Sequence, residues 1–296
     1  MNVRFSCRPC QRNLLYSYYM ATLISRGNEE AISTYLRSPT HALLLVAPKG
    51  FGKSKVLRHI CSQILEVSGE SIDKDYRFWL IENPEGSIGI DEIREIKGFL
   101  KLKQSSKKDK RVVAVIDCQK MTLEAQNSLL KLLEEPPSNT HIIMSTSNTE
   151  SILPTIKSRV QIIQLQPNSK DELIKHFVSL GHQVSDVERA YLMTGGLFDN
   201  MEKLLEGESE DSSFTLAKTI ISSDAYQRLI TVDGLSKDKQ RASELLYALR
   251  RTTLAGLRTP TKNYKQTQKL HRALRAVNRC EEQIAKSNPN LKLLLG

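Results

Sequence analysis

Up to position 166, apolar residues fall into short unbroken runs that alternate with stretches of helical spacing; after it only the helical spacing continues. The run "HALLLVA", 41–47, is continuous and stops at Pro48, as a strand buried on both faces of a parallel sheet would. After "PKGFG" the period changes, and Val56, Leu57, Ile60, Cys61, Ile64 and Leu65 fall on one side of a helix. "FWLIE", 78–82, reads as a second strand, followed by a turn at Asn83–Gly86 and a helix lined by Ile90, Ile93, Ile96 and Leu100. Three further strands are "VVAVI", 112–116, "HIIMST", 141–146, and "VQIIQL", 160–165. Between the first two of these, a helix starting near Thr122 carries Leu129, Leu130, Leu132 and Leu133 and stops at Pro136 and Pro137, whose rings cannot continue it. An opening helix is expected over about 13–37, with Leu14, Leu15, Tyr18, Leu23 and Ile24 at its spacing.

Strands alternating with helices of these lengths predict an α/β fold, a parallel sheet covered on both faces and spanning residues 1–166. A small helical unit, 167–208, is broken by Gly195 and Gly196, and an all-helical, basic unit follows over 209–296. The acidic, serine-rich "EGESEDSS", 206–213, reads as the linker between them. A length of 296 residues accommodates more than one core.

Composition narrows the partners. Hydrophobic content is 40% with no apolar run near the roughly 20 residues that cross a bilayer, and the N-terminal stretch has no secretory pattern, so a cytoplasmic protein without membrane contact is expected. The five cysteines are scattered; Cys7 and Cys10 form a lone C-x-x-C with no second pair, so no zinc is expected. A net charge of +10 suits a nucleic-acid partner, since phosphates neutralised by lysine and arginine release counterions. "KLKQSSKKDKR", 101–111, holds no aromatic ring to stack on bases and reads first as a solvated loop. In the basic tail, Arg250, Arg251, Arg258, Lys262, Lys265, Lys269, Arg272, Arg275 and Arg279 accompany Leu270, Leu274 and Val277, whose helical spacing predicts one packed face.

The chemistry concentrates after the first strand. Gly52, Lys53 and Ser54 complete a phosphate-loop pattern whose first glycine is replaced by Ala47. Gly50 and Gly52 let backbone N–H groups approach phosphate, Lys53 reaches the outer phosphates, and Ser54 with Asp117 would hold magnesium if nucleotide is bound. Where hydrolysing members of this class have a glutamate after the aspartate, this chain has Cys118 and then Gln119. Neither takes a proton from water near neutral pH, so weak or absent turnover is expected, with Cys118 a small residue under the loop.

"HALLLVAPKGFGKS", "SIGIDEIREIKGFL", "TLEAQNSLLKLLEEPPSNTHIIMSTSN" and "LPTIKSRVQIIQL" together resemble the clamp-loader branch of the AAA+ family, and within it the delta-prime subunits of bacterial DNA polymerase III. The resemblance implies that 1–166 is the AAA+ core, 167–208 its lid and 209–296 an oligomerising collar closed by "NPNLKLLL". It implies ATP with magnesium at the loop, a sensing hydroxyl on Thr146 or Ser147, and an arginine finger at Arg159, which would enter the ATP site of a neighbouring subunit. Ser158 and Arg159 match the family's Ser-Arg-Cys motif, with Val160 in place of the cysteine. Asp199 falls where motor subunits carry a lid arginine, and the four-cysteine zinc module of many relatives is missing. The implied role is that of a non-motor subunit, with clamp-loader ATPase and clamp-opening subunits, the sliding clamp and primer-template DNA, contacted without regard to sequence, as partners. The alternative is a catalytically active P-loop ATPase, either a motor subunit or a helicase-loader-like protein.

Overall fold

Leu43, Leu44 and Leu45 are fully buried inside a five-stranded parallel sheet, the burial that an unbroken apolar run requires. The computed structural model of the protein describes residues 24–69, 71–84, 86–101, 109–206, 213–223, 239–258 and 264–286. The strands are β1 (Ala42–Val46), β2 (Phe78–Ile81), β3 (Arg111–Val115), β4 (Thr140–Thr146) and β5 (Gln161–Gln164), in the order β2-β3-β4-β1-β5. All four neighbouring pairs are parallel. Each strand ends within one residue of its predicted limits.

The helices of this part are α1 (Arg26–Arg37), α2 (Lys53–Leu65), α3 (Ile90–Lys101), α4 (Leu123–Glu134), α5 (Pro154–Lys157) and α6 (Lys170–Ser179). On one face of the sheet, Ile93, Ile96 and Phe99 of α3 and Ala125, Leu129 and Leu133 of α4 join Leu44, Val113, Val115, Ile142 and Met144 in a single buried cluster. Each of these side chains larger than alanine contributes about 1.5–3 kcal/mol by leaving water. α2 lies against β1, β3 and β4 with Val56, Leu57, Ile60 and Cys61 buried. Thr122 caps α4, its hydroxyl accepting from the Ala125 N–H at 3.2 Å.

The basic segment 101–111 departs from its reading as solvated loop at its last residue. Arg111 is 4% exposed and opens β3. Its Nη1 donates to the Phe99 and Leu100 carbonyls at 3.0 and 2.8 Å, and its guanidinium stacks 5.4 Å from the Phe99 ring centre. It therefore closes the C-terminus of α3, whose last carbonyls have no partner inside the helix. Lys110 pairs with Glu66 at the surface, at 3.1 Å. Ile24 and Ser25 are not helical, so the expected opening helix runs only from Arg26, with Ser25 at its N-cap. Lys103, Lys107 and Lys108 lie outside the described residues, as do Cys7, Cys10, residues 13–23, most of the 206–213 linker, Lys262 and 288–295.

The chain forms two compact units, 1–176 and 177–296. Among the described residues the second contains helices and no strand: α7 (Val184–Thr194), α8 (Phe198–Leu205), α9 (Ser213–Ser222), α10 (Lys239–Arg258) and α11 (Tyr264–Lys286). Ala217 and Ile220 of α9, Leu245 and Leu249 of α10, and Val277 and Cys280 of α11 make its core. Leu270 and Val277 are buried as their spacing predicts, while Lys269, Arg272, Arg275 and Arg279 are exposed on α11. Arg251 is used internally: its Nε donates to the Met193 carbonyl at 3.3 Å, beside Tyr247 Oη donating to the Thr194 carbonyl at 3.2 Å. Both close the end of α7, which terminates at Gly195 with φ 75°, a left-handed position that suits glycine.

Candidate functional site

Two glycines shape the turn from β1 into α2. Gly50 and Gly52 have φ of 82° and 99°, where a side chain would cost about 1–2 kcal/mol. Ala47 is not in that left-handed region, and its N–H donates to the Thr146 carbonyl at 3.1 Å, extending the β1–β4 ladder. The backbone at 47 therefore takes an alanine without strain. Phe51, between the two glycines, is 3% exposed.

Gly52 precedes the first turn of α2, which carries Lys53 and the half-buried Ser54. Lys53 is 7% exposed; its Nζ lies 3.6 Å from Asp117 Oδ1 and donates to the Pro48 carbonyl at 3.4 Å. Asp117 follows β3 with φ 53°, and its N–H donates to Ser145 Oγ at 3.2 Å. A helix N-terminus, equivalent to roughly +0.5 charge, thus meets a buried lysine and a carboxylate. The set fits a polyphosphate with a divalent cation: Gly50, Gly52 and Lys53 for phosphate, the Ser54 hydroxyl and Asp117 carboxylate for magnesium. Among the described residues no group of three or more His, Cys, Asp and Glu side chains could hold a metal ion. A magnesium ion here would take its other oxygens from phosphate and water, as this ion ordinarily does.

The residues after Asp117 give no general base. Cys118 is fully buried, and burial pushes its thiol up to about 12. Gln119 Oε1 accepts the Ser147 N–H at 3.2 Å, while its Nε2 donates to Ser147 Oγ at 3.1 Å. Thr146 Oγ1, fully buried, lies 2.9 Å from both Gln119 Oε1 and the Asn148 carbonyl, with one proton to give between them. The amide therefore ties the end of β3 to both hydroxyls read as phosphate sensors. Its bond to Thr146 crosses 27 positions of sequence, and the signal available beforehand was an amide standing where a glutamate is usual.

Arg159 is placed by a different set of contacts. Gln126, buried in α4, accepts the Leu153 N–H at 2.9 Å and donates to the Ser151 carbonyl at 3.0 Å. Ile152 and Ile156 are buried beneath this segment, which fixes α5. Ser158 and Arg159 follow directly, and Arg159 keeps 38% of its side chain exposed. Its Nη2 lies 3.0 Å from Glu134 Oε1, and its Nη1 donates to the Thr155 carbonyl and to Ser158 Oγ at 3.1 and 3.2 Å. Glu134 and Gln126 lie inside one of the stretches that carry the resemblance, but their contacts could not be read there, because their partners come from a later part of the chain.

Strand register separates the two sites. Gln161 pairs with Leu43 and Gln164 with Val46, so the run between them covers three steps, about 10 Å. The phosphate loop leaves the C-terminal end of β1, whereas Arg159 enters before the N-terminal end of β5. They stand at opposite ends of the sheet. Asp199 is in the first turn of α8, in the second unit.

Comparison with known proteins adds four findings. Residues 35–169 match the family described as DNA polymerase III, delta subunit. The chain is 30% identical over 202 residues to the uncharacterized protein MG007 homolog of Mycoplasma pneumoniae, covering 62% of this chain and 72% of that one. It is 30% identical over 135 residues to the DNA polymerase III subunit delta' of Pseudomonas aeruginosa, covering 40% of this chain and 41% of that protein, so it spans about two fifths of that relative. Among solved structures, a DNA polymerase III gamma subunit-related protein from Thermotoga maritima superposes with a TM-score of 0.53 at 21% identity, over 90% of this chain and 95% of the other, which shows a shared fold.

Proposed function

The chain belongs to the AAA+ clamp-loader family, and from that premise we propose that it is a non-motor, delta-prime-like subunit of the DNA polymerase III clamp loader that donates Arg159 to the ATP site of a neighbouring ATPase subunit. The placement of Arg159 carries this reading. A guanidinium at the end of the sheet opposite its own phosphate loop is out of reach of nucleotide there and available to nucleotide on another chain. Its planar fork suits the charge that spreads over a phosphoryl group in transfer.

The chain's own loop would take ATP with magnesium as a bound ligand through Gly50, Gly52, Lys53, Ser54 and Asp117, with Thr146 at its margin. Turnover there is not supported, since Cys118 is buried with a raised thiol pKa and Gln119 is engaged with Thr146 and Ser147. The reading of the chain as an active ATPase would need a base at these two positions. Residues 167–208 would serve as lid and 209–296 as collar in a cytoplasmic assembly that opens the sliding clamp and loads it on primer-template DNA through backbone contacts. The exposed Arg272, Arg275 and Arg279 and the chain's charge of +10 favour such a partner. Among the described residues no helix is long and apolar enough to cross a membrane.

Gentle purification of the tagged chain from its own cells tests this. Mass spectrometry should identify a clamp-loader ATPase and a clamp-opening subunit with it. A chain recovered alone, or only with copies of itself, would contradict the reading.

A further inference from the structure

We propose that Glu134 is a positioning residue for Arg159, holding its guanidinium in a fixed direction before it meets the neighbouring ATP site; the inference rests on the reading of Arg159 as a finger acting in trans. Glu134 Oε1 stands 3.0 Å from Arg159 Nη2. Nη1 is turned inward to the Thr155 carbonyl and Ser158 Oγ. Both terminal nitrogens are thus anchored, yet a guanidinium has five N–H donors, so others remain for a phosphate oxygen. An unanchored arginine would lose its rotamer freedom only on docking, whereas this one has lost much of it beforehand.

The helix gives no other reason for a carboxylate at this position. Glu134 is the last residue of α4 and Glu135 its C-cap, at the end where backbone carbonyls already concentrate negative charge. Acidic side chains there are electrostatically unfavourable, and Pro136 with Pro137 already stops the helix. The ion pair with Arg159 is the compensation visible for Glu134, and the guanidinium pairs with it and not with the adjacent Glu135. α4 also reaches the segment before Arg159 through Gln126, which binds Ser151 and Leu153. One helix therefore sets both the backbone leading to the finger and the direction of its side chain.

Four variants test this in the assembly reconstituted from the chain and the ATPase subunits that copurify with it, reading kcat and KM for ATP. Glu134→Gln should lower kcat about two- to fivefold with little change in KM, the range that an exposed ion pair can deliver. Glu135→Gln changes the charge of the same helix end and should leave both constants as they are. Arg159→Ala should lower kcat further, and Glu134→Gln added to it should have no additional effect, because the partner is already gone. If Arg159→Ala lowers kcat while Glu134→Gln matches the parent or exceeds it, the positioning role is overturned and the finger stands. If Arg159→Ala itself changes nothing, the finger reading falls and this inference falls with it.

Discussion

Cys118 stands one residue after an aspartate poised beside Lys53, where a proton acceptor would make the loop a hydrolytic site. Its thiol is buried and its pKa is pushed up to about 12, so at pH 8 only about one part in ten thousand would be thiolate. In the folded protein iodoacetamide at pH 8 should leave Cys118 unlabelled, and unfolding in denaturant should expose it; mass spectrometry of tryptic peptides reads the difference. Rapid labelling without denaturant would mean an open, activated thiol and would return a catalytic role to this position. Gly50, Gly52 and Lys53 were legible in the sequence because backbone freedom and charge are carried by residue type alone. Ala47 looked like a defect in the motif, and only its ordinary backbone angle and its ladder bond to Thr146 show that alanine fits there. Gln119 and Glu134 were not legible as contacts, since each acts on a residue that folding brings in from another element.

The strands were the most readable elements. A parallel strand covered on both faces reads as a nearly continuous apolar run, and the three consecutive leucines of β1 are fully buried. Arg111 shows where that reading stops. In sequence it closes a run of lysines, but folding turns it back onto the end of α3 to cap Phe99 and Leu100, partners set apart from it by the 102–108 segment. Arg111→Leu should leave those carbonyls without their donor and cost about 1–3 kcal/mol of stability. Lys110→Ala, which removes an exposed pair with Glu66, should cost less than about 1 kcal/mol. Thermal unfolding of the two variants side by side checks the contrast, and equal small shifts would put Arg111 back in the solvated segment. Arg251 repeats the lesson in the second unit, where a residue counted with the basic tail closes the end of α7.

In the protein taken entire, the proposed division of labour follows from direction. Parallel strands give the sheet one end where chains leave and another where they enter; the phosphate loop and Asp117 occupy the first, and Arg159 with Glu134 occupies the second. Under the proposed function, nucleotide would be received at one end and another subunit's site completed at the other. Family membership was legible from four quoted stretches, and the family match over residues 35–169 covers most of the same region. The apolar spacing of the second unit was readable only as helices, because it says which faces are buried and not what they meet. The decisive measurement is steady-state ATP turnover by the reconstituted assembly carrying Arg159→Ala or Lys53→Ala in this chain alone. Arg159→Ala is expected to slow the ATP site it completes by about a thousandfold or more, the scale of an arginine finger, while Lys53→Ala leaves turnover near that of the parent. Turnover that is abolished by Lys53→Ala and untouched by Arg159→Ala would make the chain a motor subunit and contradict the account.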